Sequence, residues 1–383
     1  MRIGFLTHHN PTNRNSFSGT AYFMREALEA APGVEVDVVA RAAHERRDQG
    51  VRSLVDGLLR RMTGRKSLKS ARRDAAMARA VNRALRTRPP DVIFSLASSF
   101  LIDRLDPMIR TPVVHVTDAT PGYIREAYGK QLEAEAIERE RRVIARAALV
   151  LYSSDFMARR AEAEFGDMVR GKVAVAPFGL NMEEVGPPEL RPAPIEAGIR
   201  LVFIGKDWRR KGGDFALDCL RWLRAQGAPA SLTLIGSTPP EPPGEGVEAI
   251  PFLDKNRPEH YARFVERLRG AHFLLLPTRG DCTPMVVAEA NAFGVPALVS
   301  DIGGLRTLVE PGKNGWLLRP DDGGETYGRR ILELAADPER YLRLRRSTYE
   351  RYRAKLNWEA WSRAAVTAAA EAAGRGRVLV EAA

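Results

Sequence analysis

Short β-branched runs alternate with longer amphipathic ones along almost the whole chain, and this alternation limits the fold more than any other feature. The strand-like runs are "RIGFL" (2–6), "VEVDVV" (34–39), "DVIFSL" (91–96), "PVVHVT" (112–117), "ALVLYSS" (148–154) and "VAVAP" (173–177). Five more follow: "RLVFIG" (200–205), "SLTLIG" (231–236), "VEAIPF" (247–252), "HFLLLP" (272–277) and "PALVS" (296–300). Helical stretches such as 20–31 and 132–147 separate them. Strand and helix in alternation predict parallel sheets covered by helices on both faces. The pattern pauses once, at "EEVGPPELRPAPIEAG" (183–198), which holds four prolines and neither period. That pause predicts a hinge between two doubly wound domains, 1–190 and 191–356. In open sheets of this kind ligands lie beyond the carboxyl ends of the strands, so the loops after the strands should carry the chemistry.

The bulk numbers agree with this plan. A chain of 383 residues suits two domains. No stretch reaches the roughly 18 uninterrupted apolar residues that a spanning helix requires. The opening "MRIGFLTHHNPTN" reads as a first strand rather than an export signal. Two cysteines, Cys219 and Cys282, make neither a disulfide framework nor a metal-ligand spacing. A cytoplasmic protein with reduced thiols is expected, with the inner face of a membrane as a candidate location.

Charge is localised. The chain carries a formal +11, and from Arg41 to Arg88 there are 15 Lys/Arg against 4 Asp/Glu, so this segment holds the entire surplus. A nucleic-acid binder usually spreads its basic surface over the fold, and nucleic acid is therefore not an expected partner. Within the segment, "VRSLVDGLLRRM" (51–62) places Val51, Leu54, Val55, Leu58, Leu59 and Met62 on one helical face, and "TGRKSLKSARR" follows. The stretch 51–73 reads as a basic amphipathic helix lying on an anionic membrane surface. The plain alternative is an apolar face packed on its own domain, with solvated arginines.

Two acids stand out in "DCTPMVVAEANAFG" (281–294). Thr283 is expected to be the N-cap of a helix, Pro284 its first residue and Gly294 its stop. The amides of Met285 and Val286 would then form an anion site above the strand ends. Glu289 shares a face with Met285, four residues away, and its neighbours are Val, Ala, Asn and Phe. A loop acid and a helix-surface acid, both solvated, are the alternative. An acid in apolar surroundings, however, needs polar partners, and sugar or ribose hydroxyls would supply them. "FIGKDWRRKGGD" (203–214) adds Gly205, Lys206 and Lys211, with paired glycines after them. Two cations on a flexible turn suit a diphosphate whose charge grows as it leaves, although a solvated basic loop has the same composition. His8 and His9 follow the first strand and are candidates for the acceptor side, as is His115 within the fourth; a satisfied core residue is the alternative for His115.

Together these segments resemble the GT-B glycosyltransferases, in particular the retaining enzymes of glycosyltransferase family 4 (glycosyl transferases group 1). "DCTPMVVAEANAFGVPALVS" matches an acid, seven residues, a Glu, a small-residue helix and a Gly-x-Pro turn. "GKDWRRKGG", "DIGGL…NGWLL", "PFGLN" (177–181) and "FSGTAYFMREALE" (17–29) carry the rest. The resemblance spans nearly the whole chain, is most specific over 200–318 and weakest over 41–90. It implies an α/β GT-B fold of two Rossmann-like domains facing each other across a cleft, the first for the acceptor and the second for the donor, with a helix at 357–383 crossing back to the first. By position it implies ribose at Glu289, donor sugar at Asp281 and diphosphate at Lys206 and Lys211. The amides around Thr283, Pro284 and Met285 would hold sugar and phosphate, Gly19 would let a loop approach the phosphates, and 247–253, with Phe252 and Leu253, would hold the base. Asp118 stands near the reacting sugar, where the family often has a His-Asp pair; Thr117 takes the place of the His.

The activity so implied is transfer of a hexose-type sugar from a nucleotide sugar to a hydroxyl acceptor, glycan or lipid-linked, with retention and without a metal or other cofactor. Front-face attack, with the leaving phosphate taking the acceptor proton, fits the lack of an evident base. Three departures bear on the sugar: Asp281 where Glu is commoner, Thr117 for His, and Thr307 where an acid often follows the paired Gly303 and Gly304. A phosphorylase, a nucleotide-sugar epimerase or a non-catalytic binding scaffold of the same fold would present the same loops.

Overall fold

The computed structural model describes residues 1–14, 16–40, 68–129, 132, 134–183, 185–189, 198–242, 244–319 and 322–381. The amphipathic face at 51–62 and most of the proline-rich hinge therefore lie outside the described residues. Twelve strands form two parallel sheets of six. The first holds β1 (Arg2–Thr7), β2 (Glu35–Val38), β3 (Val92–Leu96), β4 (Val113–Thr117), β5 (Leu149–Tyr152) and β6 (Val173–Val175), in the order β2-β1-β3-β4-β5-β6. The second holds β7 (Ile199–Ile204), β8 (Ala230–Ile235), β9 (Val247–Ile250), β10 (Phe273–Leu276), β11 (Ala297–Ser300) and β12 (Gly315–Leu318), in the order β12-β11-β10-β7-β8-β9.

All eleven runs read as strands are strands. β9 stops at Ile250, so Phe252, at the end of the run "VEAIPF", lies in the following loop. β12 comes from "GWLL", which has no β-branched residue to announce it.

Strand order reverses between β1 and β3 in one sheet and between β7 and β10 in the other. At such a switch point neighbouring loops leave in opposite directions and open a crevice. The strands beside it are buried on both faces, as a parallel sheet requires. Val202 and Leu274 belong to the core on one side of the second sheet, and Leu201, Phe203 and Leu275 to the core on the other.

The last helix, Trp358–Glu381, returns to the first domain. Its Trp361, Ala365 and Ala369 share a core with Phe94, Val114 and Leu151 of the first sheet. The Trp361 ring meets Phe94 edge-on at 5.8 Å. The crossing is tight at "PFGLN": a Cβ on Gly179 would stand 2.3 Å from the Trp358 backbone nitrogen.

The helix Leu68–Thr87 buries Met77, Ala78, Val81 and Leu85 against Leu6, Ile93 and Val113 of its own domain. Arg72, Arg73, Arg79, Arg83 and Arg86 point outward. Among the described residues no helix is long and apolar enough to cross a membrane.

Trp361→Ala should destabilise the protein by about 3–5 kcal/mol, the usual cost of emptying a core aromatic site. A urea midpoint within error of wild type would show that the returning helix does not support the first domain.

Candidate active site

A cavity of about 780 Å³ opens between the carboxyl ends of the two sheets, a volume in the range of nucleotide-sized ligand sites. Most of its second-domain wall comes from the loops after β7, β9 and β10, two of which flank the switch point, with Ile235 and Gly236 at the end of β8 beside them. Gly205, Lys206 and Lys211 come from the first; Phe252 and Leu253 from the second; Asp281, Thr283 and Pro284 from the third. Met285 and Glu289 complete this wall from the helix Met285–Asn291. Close approach shapes it: a Cβ on Gly212, at φ 77°, would stand 1.9 Å from the Pro277 carbonyl oxygen. Among the described residues no cluster of three or more His, Cys, Asp or Glu side chains has the arrangement to hold a metal.

Each of the two acids has a lysine partner. Asp281, 6% exposed, accepts from Lys211 Nζ at 2.5 Å. Glu289, 3% exposed, accepts from Lys255 Nζ at 2.6 Å. The second partner stands 34 residues away on the loop after β9, and nothing in the local pattern announces it. Arg210 also enters the cavity; it donates to the Gly280 carbonyl at 2.7 Å and its Nη1 lies 3.9 Å from Asp281. Arg14 of the first domain faces them, paired with Glu183 at 2.8 Å and 4.7 Å from the Tyr22 ring centroid. Lys255, Arg210 and Arg14 were not singled out in the sequence, since single cations in charged loops carry no periodic signal.

Two expectations need correction. Thr283 is not the N-cap. Pro284 holds that position without a side-chain cap, and the helix starts at Met285. The Thr283 hydroxyl instead meets Ser153 of the first domain at 2.5 Å. The helix is only seven residues long, so the dipole at its start is weak, and the side-chain cations carry most of the positive charge. His115 is not in the cavity. It is 1% exposed, and its Nε2 lies 3.2 Å from Glu140, which also accepts from Ser99. Strand alternation turns it into the core beneath the sheet.

The remaining candidates lie around the first-domain rim. Gly19 takes φ 90° as the N-cap of Thr20–Glu29, and Asn181 Nδ2 donates to Thr20 Oγ1 and to the Ser18 carbonyl beside it. His8 contacts Ser98 at 2.9 Å, and His9 stacks on Phe17 at 4.3 Å. None of Gly19, His8, His9 and Asp118 is part of the cavity lining. Two contacts cross between the domains: Tyr123 Oη donates to the Asp281 carbonyl in the loop after β10 at 2.9 Å, and the Asp155 amide donates to Thr307 Oγ1, beyond β11, at 3.0 Å.

Asp118 follows β4, close enough to Asp281 to feel its charge. Burial pushes its carboxyl up to about 6; its own backbone amide offsets part of the rise, and Asp281 adds to it. A raised acid keeps a proton in the folded state that the unfolded chain has released. Stability therefore falls as pH rises from the ordinary value of 3.8 to about 6, and is level above that. Asp118→Asn should remove this slope, making the variant the more stable protein at neutral pH. Thermal melts between about pH 4 and 7 that fall equally for both proteins would contradict the assignment.

Comparison with known proteins bears on the family and the fold. Residues 20–184 match the Glycosyltransferase Family 4 model, and residues 198–337 match Glycosyl transferases group 1. D-inositol 3-phosphate glycosyltransferase of Streptomyces avermitilis is 27% identical over 296 residues, 70% of this chain and 62% of the relative. The enzyme of that name from Jonesia denitrificans is 28% identical over 174 residues, 42% of this chain and 40% of the relative. The chain thus spans less than two thirds of the length of these relatives. Among solved structures, sucrose-phosphate synthase from Thermosynechococcus elongatus superposes with a TM-score of 0.67 at 18% identity, covering 100% of this chain and 99% of that one. Anabaena HepE in complex with UDP superposes with 0.62 at 15% identity, covering 96% and 99%. The chain belongs to the GT-B glycosyltransferases, with a family 4 first domain and a group 1 second domain.

Proposed function

We propose that the protein moves a hexose-type sugar from a nucleoside-diphosphate sugar to a hydroxyl acceptor in this cavity, with retention at the anomeric carbon and without a metal ion. The observation that carries the reading is the convergence of Glu289, Asp281, Lys206 and Lys211 on one cavity between the two domains. Glu289 accepts hydrogen bonds from the ribose hydroxyls and Asp281 from the sugar. Lys206, Lys211 and Arg210 neutralise the diphosphate as the bond from anomeric carbon to phosphate oxygen breaks. The acceptor oxygen forms its bond on the same face, and its proton passes to the departing phosphate. Asp118, outside the cavity lining but close enough to Asp281 to feel its charge, is ionised above about pH 6 and would accept from a hydroxyl of a sugar that reaches it. A structural neighbour seen with UDP and glucose, and relatives named for an inositol phosphate, support a nucleotide-sugar donor and a hydroxyl acceptor.

The acceptor is read as lipid-linked or part of an envelope glycan. Support comes from the surplus charge between residues 41 and 88 and from the outward arginines of Leu68–Thr87, which suit the inner face of an anionic membrane.

A thermal-shift panel of UDP, GDP and ADP sugars tests the donor site. One donor at 100 times its dissociation constant should stabilise the protein by about 2.7 kcal/mol, and Glu289→Ala should lose most of that gain. The product should keep the donor's anomeric configuration, and transfer should survive EDTA. Failure of every nucleotide sugar to shift wild type would overturn the reading. On membranes, the protein should sediment with phosphatidylglycerol vesicles and not with phosphatidylcholine. Retention equal on both, or unaffected by salt, would remove the membrane reading and leave a soluble acceptor.

A further inference from the structure

Lys206 and Lys211 leave the same loop in different directions. Lys211 reaches Asp281, whereas Lys206 Nζ lies 3.7 Å from the centroid of the Phe252 ring. Phe252 is 52% exposed, and it is one of two large apolar side chains so exposed among the described residues. An exposed aromatic ring inside a cavity of charged groups calls for an explanation. β9 ends two residues before it, which frees the ring from the sheet and presents it to the cavity. Gly236, at φ 91°, passes beside the base of this loop: a Cβ there would stand 3.3 Å from the Gly205 carbonyl oxygen and in ordinary contact, at 4.0 Å, with Lys206 Cγ.

An ammonium over a ring face is held by the ring quadrupole, and the contact is modest where water has access. The same ammonium is drawn more strongly to phosphate oxygens through charge-assisted hydrogen bonds. Base and aromatic ring bind by stacking, and the face of Phe252 over which Lys206 Nζ stands is closed to a base while the ammonium is there. We propose that Lys206 and the nucleobase exchange places on Phe252: the diphosphate draws the ammonium off the ring, and the base takes the uncovered face. This deepens the donor reading above and rests on it. Phe252 becomes the platform for the base, and Lys206 couples the two halves of the nucleotide, so that a base without a diphosphate has to compete with it.

The exchange makes a prediction of opposite sign for two ligands of one site. Ligand-observed NMR titrations would compare uridine, guanosine and adenosine with UDP, GDP and ADP. For the base that binds, Lys206→Ala should hold the nucleoside about three-fold more tightly, the factor that a solvent-accessible cation–π contact represents. It should hold the diphosphate about ten-fold more weakly. Phe252→Leu should weaken both nucleoside and diphosphate, yet bind inorganic pyrophosphate at least as well as wild type. In 13C-lysine spectra, the Lys206 ε-methylene should be shifted upfield by the ring in the free protein, move downfield when the diphosphate is added, and lose the upfield shift in Phe252→Leu.

Nucleoside affinity unchanged or reduced in Lys206→Ala, with diphosphates still binding wild type, would overturn the exchange and leave the donor site standing. An ε-methylene that does not move on diphosphate addition would do the same. Absence of binding by every diphosphate to wild type would overturn both.

Discussion

Two lysines pair with two buried carboxylates in the wall of a cleft where charged and apolar side chains mix. Without partners, Asp281 and Glu289 would each pay the full cost of leaving water, several kcal/mol even after relaxation. Lys211 and Lys255 offset that cost by reaching across the cavity wall, one from the loop after β7 and one from the loop after β9. Each ion pair is also a geometric clamp, since it ties the segment after β7 or β9 to the segment that follows β10. This wall of the cleft is thus held together by its own charges.

The scaffold brings those loops within reach. Parallel strands send their following loops to one edge, and the reversal of strand order spreads them enough to open a crevice. The first domain then holds the loop after β10 through Tyr123, at the Asp281 carbonyl, and Ser153, at the Thr283 hydroxyl. Thr307, standing where the family often has an acid, serves this junction instead: its hydroxyl accepts from the Asp155 amide and donates to the Asp155 carboxylate. The returning helix adds a second tie by completing the core of the first sheet.

What the sequence disclosed follows the range of each interaction. Central strands of the parallel sheets are buried on both faces, so their apolar runs are continuous, and the partly exposed β2, β6 and β9 were legible from their branched residues; β12, with Gly and Trp in place of branched residues, was not. Glu289 was legible as an anomaly, an acid inside an apolar helix, but its lysine was not, because Lys255 is brought there by tertiary folding alone. Local cap preferences pointed to Thr283, and a contact between domains outweighed them. Phe252 looked like the end of a strand, and where the strand stops decided whether its ring is core or faces the cavity. His115 fell on the inward face of its strand, which only the sheet's register and its helices determine.

The central claim is that one nucleotide spans the cavity from Phe252 past Glu289 to the lysines after β7. A structure of the protein with a bound nucleoside diphosphate tests it most directly. The account predicts ribose hydroxyls within hydrogen-bond distance of Glu289, both phosphates against Lys206 and Lys211, and the base flat on Phe252. Density for the nucleotide elsewhere, or with its phosphates turned away from the two lysines, would contradict it.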